Sequence, residues 1–232
     1  MTLSIRAQSA DDGLYSVLYH QKNNPEQWLR RESRAGPTLE YNGIAVLENL
    51  CTQNYVSQCS IRKANPFFHI AEAMWMLAGR NDLDFLLNFN KGFGNYSDDG
   101  VTVRGSAYGV RWRHWFRKDQ IEEVIAELSN PETRRAVVSQ WSPEDLHLNS
   151  KDVPCNLQTL FLVRNGHLDM TVTNRSNDLV YGMYGSNIVH FTILHQYIAA
   201  RVDMPVGIYR QVSNCLHTYV ENPVVLRLNE AL

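Results

Sequence analysis

Residues 157–173 read LQTLFLVRNGHLDMTVT, and this stretch decides the fold. Two runs rich in β-branched and apolar residues flank Asn165-Gly166, a dipeptide favoured in two-residue hairpin turns. The first run is nearly apolar at both odd and even positions, which is typical of a strand covered on both faces. The stretch therefore predicts a β-hairpin at the centre of a covered sheet.

Helical patterns lie on both sides of this hairpin. Asn65-Pro66 supplies an N-cap and a first-turn proline, and an apolar run follows until Gly79. An amphipathic pattern covers residues 119–129, and a mostly apolar one runs from about 186 to 202. We expect the strands to come after the second helix, beginning with RAVVSQW at 135–141.

The arrangement of these elements indicates the fold class. Helices that are segregated from a mainly antiparallel or mixed sheet predict an α+β fold. The chain has no repeat and no linker-like stretch, so we predict a single domain over residues 1–232.

The composition excludes several classes of protein. Of 232 residues, 44% are hydrophobic and 20% charged, with a formal charge of −2, which argues against a disordered chain or one that coats nucleic acid. No apolar run reaches the roughly eighteen residues of a membrane span, and the N-terminus lacks the apolar region of a signal peptide. We expect a cytoplasmic enzyme or small-molecule binder that needs neither membrane nor nucleic acid.

The cysteines point the same way. The four cysteines form no CxxC pair and are too few for a disulfide scaffold, which favours a reducing compartment. Cys51, Cys59 and Cys215 are predicted to be packing residues, and Cys215 is close enough to His217 in sequence to line a pocket. We expect no metal site.

Cys155 is the first candidate for chemistry. It follows Pro154 and precedes a predicted strand, so its thiol emerges at a strand edge. A lone cysteine is more often a small buried hydrophobe, and this residue by itself leaves both interpretations open. Arg134-Arg135, Arg175-Ser176 and Arg34 could together clamp a phosphate. Their positive charge would also lower the pKa of the thiol.

Several segments, in order, resemble the core of the thymidylate synthase family, which also includes pyrimidine hydroxymethylases of phages and antibiotic pathways. The segments are AEAMWMLAG, SAYGVRWRHW, RRAVVSQW, DVPCNLQTLFLVRNGHLDMTVTNRSNDLVYG, SNIVHFTILHQYIAA and NCLHTY. The similarity covers most of the chain, from about residue 34 to 219. It implies a thymidylate synthase-like α+β fold with a large mixed sheet covered by helices.

The resemblance also implies a substrate and its contacts. A pyrimidine nucleoside monophosphate would bind with Asn187 on the base edge and with His217 and Tyr219 on the sugar 3′-hydroxyl. Its 5′-phosphate would be held by Arg34, Arg134, Arg135, Arg175 and Ser176. The Arg134-Arg135 pair would reach in from the other subunit of a homodimer.

The chemistry implied by the resemblance is one-carbon transfer from 5,10-methylenetetrahydrofolate. Cys155 would add to C6 of the pyrimidine and make C5 nucleophilic. Glu72 would organise proton transfer through water, and Tyr108 would sit near the C5 proton that must leave. Asp178 would face the pterin of the folate. For Glu72, a buried carboxylate that is satisfied by the backbone or by an arginine is the ordinary alternative.

Departures from the synthase pattern indicate the product. Asn156 stands where synthases carry histidine, and Phe93 or Tyr96 stands where they offer tryptophans. The segment before His217 differs as well, and only thirteen residues follow Tyr219, fewer than in a synthase tail that closes over the cofactor. Each change opens the one-carbon unit to water, which predicts hydroxymethylation.

The base and the competing functions stay open at this point. Asn187 can accept from N3–H and donate to O4 of uracil, so deoxyuridylate is favoured over a cytosine nucleotide. One extra residue between Gly182 and Asn187, relative to the synthase pattern, affects the placement of that asparagine. The alternatives are thymidylate synthase, a dCMP or CMP hydroxymethylase, and a silent nucleotide- or RNA-binding homologue. A generic cysteine hydrolase is a further alternative, but the chain shows no recognisable cysteine–histidine–carboxylate arrangement.

Overall fold

A computed structural model describes residues 1–50 and 53–232, so the prediction for Cys51 lies outside the described residues. The strands are β1 (Thr2–Ala7), β2 (Trp28–Arg31), β3 (Thr38–Tyr41), β4 (Ile44–Asn49), β5 (Val137–Ser139), β6 (Asn156–Arg164), β7 (His167–Asn174), β8 (Asn177–Asp178), β9 (Val206–Ser213) and β10 (Leu216–Tyr219). The helices are α1 (Ala10–Asn23), α2 (Pro66–Leu77), α3 (Leu83–Leu87), α4 (Tyr108–Val110), α5 (Gln120–Glu127), α6 (Ile188–Arg201) and α7 (Pro223–Glu230). Among the described helices, none is long and apolar enough to cross a lipid bilayer.

Six strands form one large sheet in the order β1-β4-β9-β7-β6-β5. The β1–β4 and β7–β9 pairs are parallel and the other pairs antiparallel, so the sheet is mixed. One face is fully buried, and α1, α5 and α6 contact its strands. The buried side chains on this face include Leu47, Phe161, Met170, Val172 and Tyr209. The predicted α+β class with a large mixed sheet is therefore confirmed.

The second sheet is smaller and brings two distant segments together. Its order is β2-β3-β10-β8, with β8 parallel to β10 and the other pairs antiparallel. The register places His217 of β10 opposite Asp178 of β8. This sheet therefore positions part of the predicted site.

The predicted hairpin and helices are present. β6 and β7 pair antiparallel through Asn165 and Gly166, whose φ angles of 51° and 73° are those of a tight hairpin turn. The Asn65 side chain accepts a hydrogen bond from the Phe68 amide (3.1 Å) at the start of α2, and Gly79 ends that helix with a φ of 68°. The predicted helix at 119–129 is α5.

Two expectations about the sheet were wrong. Four strands, β1 to β4, precede α2, although we expected strands only after the second helix. Among the described residues, the helices that contact the large sheet lie on one of its faces, whereas we expected both faces to be covered. The other face carries half-buried apolar side chains, Val46, Leu160, Leu162 and Val212, beside the ion pairs of Arg210 with Glu48 and Asp169. The apolar residues at odd and even positions of β6 therefore lie on different faces of the sheet: one set is in the core, and the other is on the partly open face.

Candidate active site

The Cys155 thiol lies where β6 begins, against a buried tyrosine. The backbone N–H groups of Cys155 and Asn156 both donate to the Tyr108 hydroxyl, at 3.1 and 3.2 Å. Burial holds the pKa of Tyr108 well above its usual range, so this phenol stays protonated. Tyr108 therefore fixes the backbone under the thiol and keeps an O–H to donate.

The electrostatics at the thiol correct the sequence-based expectation. Burial raises the pKa of Cys155, and Asp152 and Asp178 add to the rise, while Arg175 and Arg34 oppose it. The Arg175 guanidinium lies 3.9 Å from the sulfur. The two arginines lower the pKa of the thiol as expected, but the net pKa is raised because removal from water outweighs the two cations.

Two predicted phosphate ligands are anchored by backbone carbonyls beside the thiol. Arg34 donates to the carbonyls of Ser150 and Lys151, at 2.9 and 2.8 Å. Arg175 donates to Pro154 at 2.8 Å and packs over the Trp141 ring. Carbonyl contacts orient a guanidinium without neutralising it, so both cations keep their charge for an anion.

The remaining predicted phosphate ligands divide into two groups. Ser176 forms a hydrogen bond with the half-buried Cys215, so these two side chains are neighbours. Arg134 and Arg135 are exposed and precede β5. Arg135 forms an ion pair with Glu127 at 3.1 Å, and its side chain is 83% exposed. Within this chain, Arg134 and Arg135 therefore contribute no contact to the described residues around Cys155.

His217, Tyr219 and Asp178 lie together on β10 and β8 of the small sheet. The His217 and Tyr219 rings meet edge to face with centroids 5.3 Å apart. Asp178 accepts from the Val180 amide at 3.0 Å. Burial raises the pKa of Asp178, while His217 and Arg62 oppose that rise.

The extra residue before Asn187 is absorbed by a π-helix. Residues Leu179–Asn187 form a π-helical segment with a kink at Tyr184, and α6 follows at Ile188. An inserted residue in a helix is commonly accommodated as a π-bulge, often at functional sites. Asn187, the last residue of this segment, is half-buried and donates from Nδ2 to Asn177 Oδ1 at 3.1 Å.

Glu72 is buried against two histidines that the sequence analysis missed. The His190 Nε2 atom lies 2.8 Å from Glu72 Oε2. His69, Glu72 and His190 each offer one ligating atom within 4.8 Å of the others. Burial, together with His190 and Arg62, lowers the pKa of His69 to about 3, so its ring is neutral at pH 7. The spacing in the sequence could have indicated both histidines. His69 precedes Glu72 by three positions and His190 follows Asn187 by three, and residues three apart lie on the same face of a helix.

This cluster suits proton transfer better than metal binding. Two ligands of one tetrahedral zinc ion, at bond lengths near 2.0 Å, would be about 3.3 Å apart. The 2.8 Å between Glu72 Oε2 and His190 Nε2 is shorter, although the two atoms are not aligned as a hydrogen bond and both are buried without another hydrogen-bond partner among the described residues. The contact therefore joins a buried carboxylate to an imidazole that can accept or release a proton.

An aromatic surface and a further carboxylate complete the site. Phe93 packs between Phe68 and Tyr96, and the Tyr96 ring is 51% exposed. Asp152, which the sequence analysis also missed, accepts three hydrogen bonds from Gly105 and Ser106, at 2.7–2.9 Å.

Tyr96 links the aromatic surface to the carboxylates. Burial raises the pKa of Tyr96, and nearby Asp152, Asp178 and Glu72 add to the rise. Tyr96 thus lies within electrostatic reach of the thiol side and the Glu72 side of one site.

Asn156 is placed inside the sheet rather than in the cleft. Its side chain is fully buried and accepts a hydrogen bond from Asn174 on β7. It therefore acts on the site through the strand that carries Cys155.

Known proteins resemble this chain in sequence and fold. A sequence model described as thymidylate synthase matches residues 52–227. The chain is 44% identical over 220 residues to the deoxyuridylate hydroxymethyltransferase of Pseudomonas phage M6, which covers 94% of this chain and 62% of that protein. It is 40% identical over 174 residues to the deoxyuridylate hydroxymethyltransferase of Bacillus phage SP01, covering 69% of this chain and 45% of that protein.

The chain therefore spans less than two thirds of the length of these two relatives. The crystal structure of thymidylate synthase from T4 phage shares the fold, with a TM-score of 0.73 over 93% of this chain and 79% of that chain at 24% identity. Since the family model covers well over half of the sequence, the chain belongs to the thymidylate synthase family.

Proposed function

We propose that this protein transfers a one-carbon unit from 5,10-methylenetetrahydrofolate to C5 of dUMP and releases 5-hydroxymethyl-dUMP. The observation that carries the proposal is the Cys155 thiol with Arg175 at 3.9 Å from its sulfur and with Arg34 anchored nearby, and the buried Glu72–His190 contact supports it. The similarity to two phage proteins named deoxyuridylate hydroxymethyltransferase supports it.

The nucleotide is held by its two ends. Arg34, Arg175 and Ser176 bind the 5′-phosphate, and Arg134 and Arg135 complete the clamp from the partner subunit of a homodimer. His217 and Tyr219 bond the sugar 3′-hydroxyl. The partly open face of the large sheet, with half-buried apolar side chains beside the ion pairs of Arg210, supports the dimer as a surface that a second subunit could bury.

The thiol starts the reaction on the nucleotide. The Cys155 sulfur forms a bond to C6, and the C5–C6 π electrons move toward C5 and O4, which makes C5 nucleophilic. Arg175 and Arg34 favour the thiolate in a site where burial opposes it. Tyr108, which stays protonated, orients water beside the C5 proton that leaves.

Folate, when bound, supplies the one-carbon unit at the oxidation level of formaldehyde. The residues present fit such a group. Asp178 offers a partly exposed carboxylate to the pterin N–H groups, and Phe93 and Tyr96 offer an aromatic surface to its flat ring. These contacts would orient it over the nucleotide.

Water completes the product. By then C5 has exchanged its proton for the one-carbon unit, whose bond to the folate nitrogen is broken. As a water oxygen bonds to this exocyclic carbon, the proton that the water loses passes to the Glu72–His190 pair. The electrons shift back through C5 and expel the Cys155 thiolate from C6, which restores the ring double bond. No hydride is transferred, so tetrahydrofolate is released unoxidised. We place this reaction in the cytoplasm of an infected cell, because both hydroxymethyltransferase relatives are phage proteins.

A product analysis tests the proposal. The protein is incubated with methylenetetrahydrofolate and either dUMP or dCMP, and product mass and dihydrofolate absorbance are recorded. We expect dUMP to gain CH2O without dihydrofolate. A gain of CH2 with dihydrofolate would instead show a thymidylate synthase, and a faster reaction with dCMP a cytosine hydroxymethylase.

A Cys155→Ser variant is the matched control. It should bind dUMP without turnover, because the phosphate and sugar contacts remain. Wild-type protein that binds dUMP but forms no product would show a silent nucleotide-binding homologue.

A further inference from the structure

A buried line of side-chain amides runs from Asn187 into the large sheet. Asn187 Nδ2 donates to Asn177 Oδ1 at 3.1 Å, and Asn177 Nδ2 donates to Gln211 Oε1 at 3.1 Å. Gln211 Nε2 donates to the Met183 carbonyl at 3.2 Å. We call these residues, from Asn187 to the Met183 carbonyl, the amide line.

The amide line has a direction that its last member imposes. A backbone carbonyl can only accept, so the group of Gln211 that faces Met183 must be its NH2. The Gln211 oxygen then faces Asn177 and requires an NH2 there. The Asn177 oxygen consequently faces Asn187 and requires an NH2 in turn. The orientation of each amide thus follows from a backbone acceptor and does not depend on how any one amide is assigned.

Burial makes this direction costly to reverse. Asn177 and Gln211 are 2% and 0% exposed, so no bulk water replaces a broken contact. A Cβ at Gly182 would lie 2.8 Å from Asn177 Oδ1, which shows how closely the π-helix approaches the amide line. Flipping one amide would set oxygen against oxygen or NH2 against NH2 inside the protein.

Asn187 is the only half-exposed side chain in the amide line, and its NH2 is held toward Asn177. We propose that Asn177 and Gln211 are specificity-determining residues that hold the Asn187 amide in one orientation, with its oxygen toward the base. An oxygen there accepts from the N3–H of uracil and repels the N3 lone pair of cytosine. This inference rests on the proposed function, in which Asn187 contacts the base.

Gln211 is the residue to change, because Ser213 offers a matched control. Asn177 Nδ2 also donates to Ser213 Oγ at 3.0 Å. A hydroxyl can donate or accept, so Ser213 alone imposes no direction on Asn177. Gln211→Met keeps the volume and removes the direction, whereas Ser213→Ala keeps Gln211 and its direction.

Binding of dUMP and dCMP is measured by calorimetry in the absence of folate. We expect wild-type protein to bind dUMP more tightly than dCMP. In Gln211→Met, the ratio of the two affinities should fall by at least about tenfold, the factor that 1.4 kcal/mol represents. Ser213→Ala should keep the wild-type ratio within about threefold, which is inside ordinary context effects. A purely structural role would weaken both nucleotides equally and leave the ratio unchanged.

The outcomes separate this inference from the proposed function. An unchanged ratio in folded Gln211→Met protein would overturn the inference alone, and so would equal losses in Ser213→Ala. Wild-type protein that prefers dCMP, or binds neither nucleotide, would overturn the inference and the choice of dUMP together. Circular dichroism of each variant establishes folding, and Gln211→Leu serves if the methionine variant does not fold.

Discussion

The Cys155 thiol is held protonated by burial and made more acidic by Arg175. Because its pKa is raised, the thiolate fraction at pH 7 is small and grows as the pH rises through the raised value. We predict that the rate of alkylation by iodoacetamide climbs continuously from pH 7 to 9. Arg175→Gln should slow it at pH 7 by up to about tenfold, the factor of one pKa unit. An equal or faster rate would contradict this assignment of the charge.

The Glu72–His190 contact predicts that replacing His190 slows only the step in which water is added. His190→Gln can still bond Glu72 but cannot accept a proton, so we expect hydroxymethyl formation to fall by about 10²–10⁴-fold, the usual worth of acid–base catalysis. Exchange of the C5 proton of dUMP should fall far less, because it precedes the addition of water. Both rates are measured on the same samples by mass spectrometry and NMR.

His195 provides the control for that variant. It is a buried histidine on the same helix, α6, and its Nε2 contacts the Leu168 carbonyl at 2.6 Å. His195→Gln should lower stability without changing the ratio of exchange to product. If it changed that ratio as His190→Gln does, the effect would belong to helix packing.

At the scale of the element, the π-helix at Leu179–Asn187 is expected to control base selection through Gly182. An added Cβ would press on Asn177 Oδ1 at 2.8 Å, so Gly182→Ala should displace the amide line. We predict weaker dUMP binding and a smaller preference over dCMP, measured by calorimetry. Wild-type affinity and preference in this variant would show that the contact is relieved elsewhere.

The hairpin turn supplies a matched glycine. Gly166 has a φ of 73° and open space around its added Cβ, so Gly166→Ala meets backbone strain alone. We expect a loss of about 1–2 kcal/mol in the free energy of unfolding by urea, with dUMP binding unchanged. A loss of binding here would mean that the hairpin positions the site.

At the scale of the whole molecule, the separation of Arg135 from Cys155 predicts sites shared between subunits. Neither Cys155→Ser nor Arg135→Gln protein should turn over efficiently. Refolding them together should give mixed dimers with one complete site each, and thus about a quarter of wild-type activity if subunits assort at random. No recovery in confirmed mixed dimers would place Arg135 outside the site.

The open face of the large sheet makes a second prediction at this scale. Leu160→Glu puts a charge beside Leu162 on this face, whose burial would form the interface. We expect analytical ultracentrifugation to show monomers. Activity should be lost as well, because a monomer lacks the Arg134 and Arg135 side chains of a partner subunit. A Leu160→Met variant should stay dimeric.

Local patterns in the sequence predicted the elements that local chemistry specifies. Asn165-Gly166 predicted the hairpin because few residues adopt positive φ at two successive positions. Asn65-Pro66 predicted the start of α2 because a side-chain acceptor and a fixed φ favour a first turn. The early strands were missed, since β1 is completed by pairing with β4 and has no turn signal of its own.

By itself, the sequence determined the family resemblance and the α+β class, and it predicted Cys155 as the nucleophile, because these depend on residue types in a fixed order. The tertiary structure alone decided that burial outweighs the arginines at Cys155. It also brought His190 to Glu72, and Asn177 to Gln211 across 34 positions. The physical reason is that burial and hydrogen-bond direction are properties of neighbours in space, and chain order does not specify those neighbours.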